Sequence, residues 1–241
     1  LTRRDTFVRA DLFLDRNFAL GCLVSAVIGV VMFAVMPIQN IMAQTLLGYS
    51  PLKNGLINLP RAVGTTITLL AVSRFIGRID ARVLLMIGLA LSIASFFMFA
   101  GLSLETDEEP LLIAGFLQGA AGGLMIAPLS ALTFATLSPG YRNEGAAIYA
   151  LTRNLGNSMG ISIFQLITIR QSAQVASRLA EGIRPDSPGF GFARPDLDFD
   201  NTQNLLRIGR EMWRQAAMVA SIDTYWMGGL LAIATIPVVL L

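Results

Sequence analysis

Histidine is absent from this chain and cysteine occurs once, as Cys22. Without histidine there is no imidazole metal ligand, no histidine proton relay and no Ser-His-Asp device. A single cysteine excludes an intrachain disulfide and a cysteine-based zinc site. Charge is scarce too: 14% of residues are Asp, Glu, Lys or Arg, where soluble domains run near 25%. The net charge of +2 is small and dispersed, which argues against a nucleic-acid partner. Gly156-Asn157-Ser158-Met159-Gly160 matches the Gly-x-Ser-x-Gly pattern of hydrolase elbows. It sits inside an apolar stretch instead of a strand-to-helix turn, and no histidine exists to activate Ser158. With no paired carboxylates in the apolar stretches either, an intramembrane enzyme is disfavoured.

What the chain has in abundance is hydrophobic length. It is 54% hydrophobic with mean hydropathy +0.62, and the apolar residues fall into six stretches: 18–42, 53–73, 83–103, 110–136, 146–169 and 216–241. Each is long enough, at about 1.5 Å per helical residue, to cross a hydrocarbon core of about 30 Å. A soluble helix would carry a polar outer face, and these do not. The fold class expected is all-α membrane, with six transmembrane helices in a lipid bilayer.

Basic residues flanking the stretches set the orientation. The juxtamembrane segment 1–17 carries Arg3, Arg4, Arg9 and Arg16, the second gap carries Arg74, Arg78 and Arg82, and the fourth carries Arg142. The alternate gaps 43–52 and 104–109 have no Lys or Arg. The first segment and the basic gaps are therefore expected in the cytoplasm. Segment 170–215, with seven Arg and six acids, is expected outside despite its basic content. Its residues 170–183 read as a helical extension, 184–200 as loop, and the part from Asn201 as an amphipathic helix. That helix suits either an interfacial position or a docking surface for a periplasmic partner. The chain opens at Leu1 without a signal peptide and stops within a hydrophobic run at Val238–Leu241, so it reads as a piece of a longer membrane protein.

Ionisable groups inside spans are costly in lipid and must face protein or water. Arg61, Arg153 and Asp223 are such groups. Arg61 extends a polar stripe with Asn54, Asn58 and Thr65; Tyr149, Arg153 and Asn157 repeat the pattern in the fifth span. Met32, Met36, Gln39 and Asn40 in the first span and Gln118 in the fourth complete a candidate wet cavity. Arg61 and Asp223 have two open readings, as an ion pair locking helices together or as an accessory proton site. Arg153 is open to either substrate contact or packing. Gly115, Gly119 and Gly123, and Gly156 with Gly160, mark close helix contact.

Several of these segments together resemble a known family. Gly48-Tyr49-Ser50-Pro51-Leu52-Lys53-Asn54-Gly55-Leu56 with Leu59-Pro60-Arg61-Ala62-Val63-Gly64-Thr65 looks like a span of EmrB/QacA-type drug:proton antiporters. These are the fourteen-span branch of the major facilitator superfamily. The loop with Arg74, Gly77, Arg78, Asp80 and Arg82 is similar to that family's cytoplasmic loop motif. Glu144-Gly145-Ala146-Ala147 with Arg153-Asn154-Leu155-Gly156 and Ser158 resembles its Arg-x-x-Gly-x-Ser-x-Gly span, and Gln215-Ala216 with Ile222-Asp223-Thr224 the start of its last.

The resemblance implies a C-terminal half fragment: one half of a major-facilitator bundle, built as two inverted three-helix repeats, with the N-terminal half as its missing partner. Spans one, two, four and five would line the cavity, with Asp223 pointing inward from span six. The implied function is multidrug efflux from the bacterial inner membrane, relevant to antibiotic resistance. Amphipathic or cationic drug-like compounds would leave by proton antiport and alternating access, with no cofactor and no metal. A periplasmic adaptor protein would contact 170–215. An exporter of a metabolite or siderophore fits the same fold.

Overall fold

The computed structural model describes residues 10–75, 78–182 and 202–240. Arg3, Arg4, Arg9, Gly77 and the loop expected over 184–200 lie outside the described residues. Six helices make up nearly all of the rest: α1 (Arg16–Ile41), α2 (Pro51–Phe75), α3 (Ala81–Ala100), α4 (Glu108–Thr133), α5 (Arg142–Gly182) and α6 (Thr202–Leu240).

Local chemistry sets the helix ends. Asp15 caps α1, its carboxylate accepting the amides of Asn17 and Phe18 at 2.9 and 3.3 Å, which satisfies donors that have no partner in the first turn. Asp80 does the same for α3 through the Arg82 amide. At its other end α1 widens into a π turn over Met42–Leu46 and stops at Gly48, whose φ of 69° suits a residue without Cβ. The stretch expected over 83–103 ends early as helix, since Gly101 caps α3.

Five of the helices, α1 with its π turn and α2, α3, α4 and α6, are long and apolar enough to cross a membrane. Helix α5 has the length but not the composition, because Arg153, Asn154 and Asn157 fall within five residues of its apolar part. It nevertheless packs as the sixth member of the bundle, against α1 and α6.

The packing is layered. Helices α2, α4, α1 and α5 follow one another across one side, with α2 on α4, α4 on α1 and α1 on α5; α3 and α6 pack together behind them. In the back layer Phe99 stacks on Tyr225 at 5.1 Å and Phe97 meets Trp226 edge-on at 4.8 Å. The pairing of α2 with α4 is matched by that of α5 with α1, the relation two inverted three-helix repeats would produce.

Small residues allow both front seams. A Cβ at Gly119 would collide with the Arg61 carbonyl of α2, and one at Gly156 with the Ala26 carbonyl of α1. Gly123 and Gly160 continue these seams one turn on. Such backbone proximity replaces the hydrophobic drive that lipid does not supply. Gly115 is different: a Cβ there would meet only ordinary contact, the Ile57 carbonyl at 3.9 Å.

Candidate functional site

A cavity of about 260 Å³ opens on the front layer, lined by α1, α2, α4 and α5. It gathers six of the residues expected there: Met32, Met36, Arg61, Gln118, Tyr149 and Arg153. Ser25, Gly29, Phe33, Thr65, Gly119 and Gly122 complete much of its wall.

Arg61 reaches this position because Gly119 lets α4 lie against its backbone. The guanidinium crosses to α1, where Nη2 donates to the Met32 carbonyl at 3.3 Å. Its Nη1 is buried without a hydrogen-bond partner among the described residues. Thr65 Oγ1 bridges the Arg61 and Gly119 carbonyls at 2.9 and 3.0 Å, tying α2 to α4 beside the charge. Gln118, fully buried, donates to the Met32 sulfur at 3.8 Å, and Ser92 reaches the Gln118 carbonyl oxygen at 3.5 Å.

Across the cavity Arg153 lies over the Tyr149 ring, 6.0 Å from its centroid, a cation–π contact. Tyr149 packs edge-on against Phe134 at 5.5 Å, which fixes the ring under the guanidinium. The cavity wall thus holds two guanidinium groups, an amide, a phenol and thioethers, and no carboxylate among the described residues.

The remaining expected residues are elsewhere. Asn40, Asn54 and Asn58 form a cluster of their own: Asn40 Oδ1 accepts both side-chain amides, at 3.1 and 3.2 Å. This links α1 to α2 without lining the cavity. Gln39 is buried with neither amide atom bonded among the described residues, and Asn157 Oδ1 is likewise buried and unbonded, close to Gly29 on the α1–α5 seam.

Asp223 needs a correction. It is exposed and makes no ion pair with Arg61. Tyr225, two residues on and about 200° around the helix, is the largest fully buried side chain among the described residues of α6. Burial of one places the other outside. The Tyr225 hydroxyl lies within electrostatic range of Arg61 and is itself unbonded among the described residues. Its apolar surroundings concealed it in the sequence, where an acid stands out and a tyrosine does not.

At the end of the bundle where α1 begins, Asp15 also accepts a 2.6 Å hydrogen bond from Thr136, and Asn17 donates to the Leu132 carbonyl at 2.7 Å. The Thr136 hydroxyl, helped by the Phe18 and Asn17 amides, holds the Asp15 carboxyl below its ordinary range. Arg74, Arg78 and Arg82 are exposed at this same end. At the far end Lys53 pairs with Glu108, joining the starts of α2 and α4, and sits 4.0 Å from the Tyr49 ring.

Residues 21–176 match the model of the Major Facilitator Superfamily. The chain belongs to that superfamily. It is 24% identical over 235 residues to the Fatty acid resistance protein FarB of Neisseria gonorrhoeae, covering 96% of this chain and 46% of the relative. It is 23% identical over 235 residues to the Multidrug export protein EmrB of Escherichia coli (strain K12), covering 94% and 45%. The Multidrug resistance protein Stp of Mycobacterium tuberculosis (strain CDC 1551 / Oshkosh) is 24% identical over 166 residues, covering 68% and 30%. The chain spans about half the length of the first two relatives. It is an all-α, multi-pass membrane protein, with proteins named as multidrug exporters among its relatives.

Proposed function

We propose that this chain forms one wall of the substrate route in a proton-driven multidrug exporter of the bacterial cytoplasmic membrane. The observation that carries this reading is the convergence of Arg61, Gln118, Tyr149 and Arg153 on one cavity from three different helices. A second bundle closing over this face would complete the cavity, and rocking of the two would expose it to each side in turn. Methionines in the wall adapt to ligands of varied shape. Arg61 and Arg153 place two guanidinium groups on this wall, so it favours uncharged or anionic amphiphiles over the cations also expected from the sequence.

In this reading proton coupling does not run through an Arg61–Asp223 pair, since the two are apart. Arg61 instead orients cargo, through the Nη1 that has no internal acceptor. The extramembrane ends of α5 and α6, within 170–215, are the surface for a periplasmic adaptor.

The test uses the intact transporter in proteoliposomes with an imposed pH gradient and a fluorescent amphiphile. Wild type accumulates the dye against its gradient, and Arg61→Gln does so at least about tenfold more slowly, the loss of one charge-assisted hydrogen bond. Unchanged transport in that variant overturns the assignment of Arg61.

A further inference from the structure

A second, larger crevice lies at the far end of the bundle, away from the cavity just described. Its volume is about 540 Å³, and it runs between the end of α1, the middle of α5 and the first half of α6. Its floor is apolar: Ile38 and Ile41 from α1, Ile169 from α5 and Ala217 from α6. Its rim is basic and aromatic, with Arg210, Trp213 and Arg214 one turn apart or less on α6.

The geometry points to an anionic phospholipid as the occupant, with one acyl chain in the crevice and its phosphate at Arg210 and Arg214. Three observations carry this. Along α6 the lining runs from Arg210 to Ser221, eleven residues or about 16 Å, which matches the depth of one hydrocarbon leaflet, about 15 Å. Trp213 is half exposed beside the two arginines, the level at which indole and guanidinium groups sit at a membrane boundary. The charges are also available to a ligand. Arg210 is exposed and forms no ion pair among the described residues. Arg214 is anchored by its Nε to the Leu46 carbonyl at 2.7 Å and has a loose 3.6 Å contact to Glu211. Glu211 is itself engaged with Gln215. A bound lipid would wedge α6 against α1 and α5 at this end, and phosphate supplies the counter-charge that the crevice lacks.

The experiment places the intact transporter in nanodiscs of equal phosphatidylglycerol and phosphatidylcholine and measures retained lipid by native mass spectrometry. Wild type retains phosphatidylglycerol over phosphatidylcholine. Arg210→Gln, at a side chain with no bond to lose among the described residues, reduces that preference about fivefold, the value of one basic residue near an anionic surface. Ile169→Trp fills the crevice from an exposed position and removes the retained lipid of either kind. No headgroup preference in wild type, or wild-type retention in both variants, overturns the proposal. So does displacement by soluble glycerol phosphate, which would mean an anion site without an acyl chain. Cross-linking of Ile169→Cys to a polypeptide instead of lipid assigns the crevice to a protein and overturns it equally.

Discussion

At the residue scale the bundle separates charges that matter from charges that happen to lie in apolar sequence. Arg61 and Asp223 looked equivalent as ionisable groups within spans. The first is held among α1, α2 and α4 with a buried, unbonded Nη1, while the second is exposed. Asp223→Asn is therefore expected to leave transport within about twofold of wild type in the same dye assay that Arg61→Gln impairs; an equal loss in both would restore the paired reading. Asp15 gives a second residue-level prediction. Asp15→Ala removes a helix cap and the Thr136 contact, lowering stability by about 1 kcal/mol at neutral pH. Because the folded carboxyl titrates below its unfolded value of about 3.9, this contribution is complete above that value and vanishes as pH falls through the folded one. The melting difference between variant and wild type should close as pH falls below the unfolded value of about 3.9. Of the candidate site, the stripes on α2 and α5 were legible because polar residues at helical spacing stand out in apolar sequence. Which neighbour each stripe meets was not. Periodicity puts Asn58 and Arg61 on one face, yet Asn58 bonds Asn40 while Arg61 crosses to Met32.

At the element scale, helix seams depend on what is missing from side chains. Gly119 and Gly156 bring α4 onto α2 and α5 onto α1 with backbone in contact. Gly119→Leu or Gly156→Leu must push helices apart, an overpacking that costs about 1–3 kcal/mol. Gly55→Leu, with nothing within 4 Å of its Cβ position, should be neutral. Thermal unfolding of the detergent-solubilised intact protein ranks them, and a drop for Gly55→Leu equal to the others would deny the seams their special role. The small-residue spacing announced these contacts, although Gly115, at the same spacing, turned out to have room. Spacing identifies a face, and only the crossing of two helices decides how many turns of it touch. The boundary of α5 shows the complementary gap. Its extension to Gly182 follows its helical pattern, but its shortfall in hydrophobicity reflects a whole face built of polar residues.

For the whole molecule, that shortfall indicates where water belongs. Helices α2 and α5 stand at opposite edges of the front layer and are widely exposed. The exposed surface of α2 includes a stripe of Leu56, Leu59, Val63, Ile67 and Leu70, which suits lipid or an apolar partner surface. On α5 an apolar stripe of Leu151, Leu155, Met159 and Ile163 runs beside a polar one of Asn154, Ser158 and Ser162, all exposed. Polar groups at membrane depth are tolerated where they meet protein or water, not acyl chains. If α5 borders an aqueous route in the intact transporter, a cysteine at Ser158 has access to water, ionises and reacts with a charged, membrane-impermeant maleimide. A cysteine at Leu70 stays protonated against lipid. The thiolate is the reactive form, so the Ser158→Cys variant should label at least about tenfold faster than Leu70→Cys. Cys22, buried between α1 and its neighbours, adds little background. Labelling of Ser158→Cys should also change with saturating cargo, since cargo displaces water from the route. Equal, cargo-insensitive rates at the two positions would place α5 against lipid or protein throughout, and the route would have to run elsewhere.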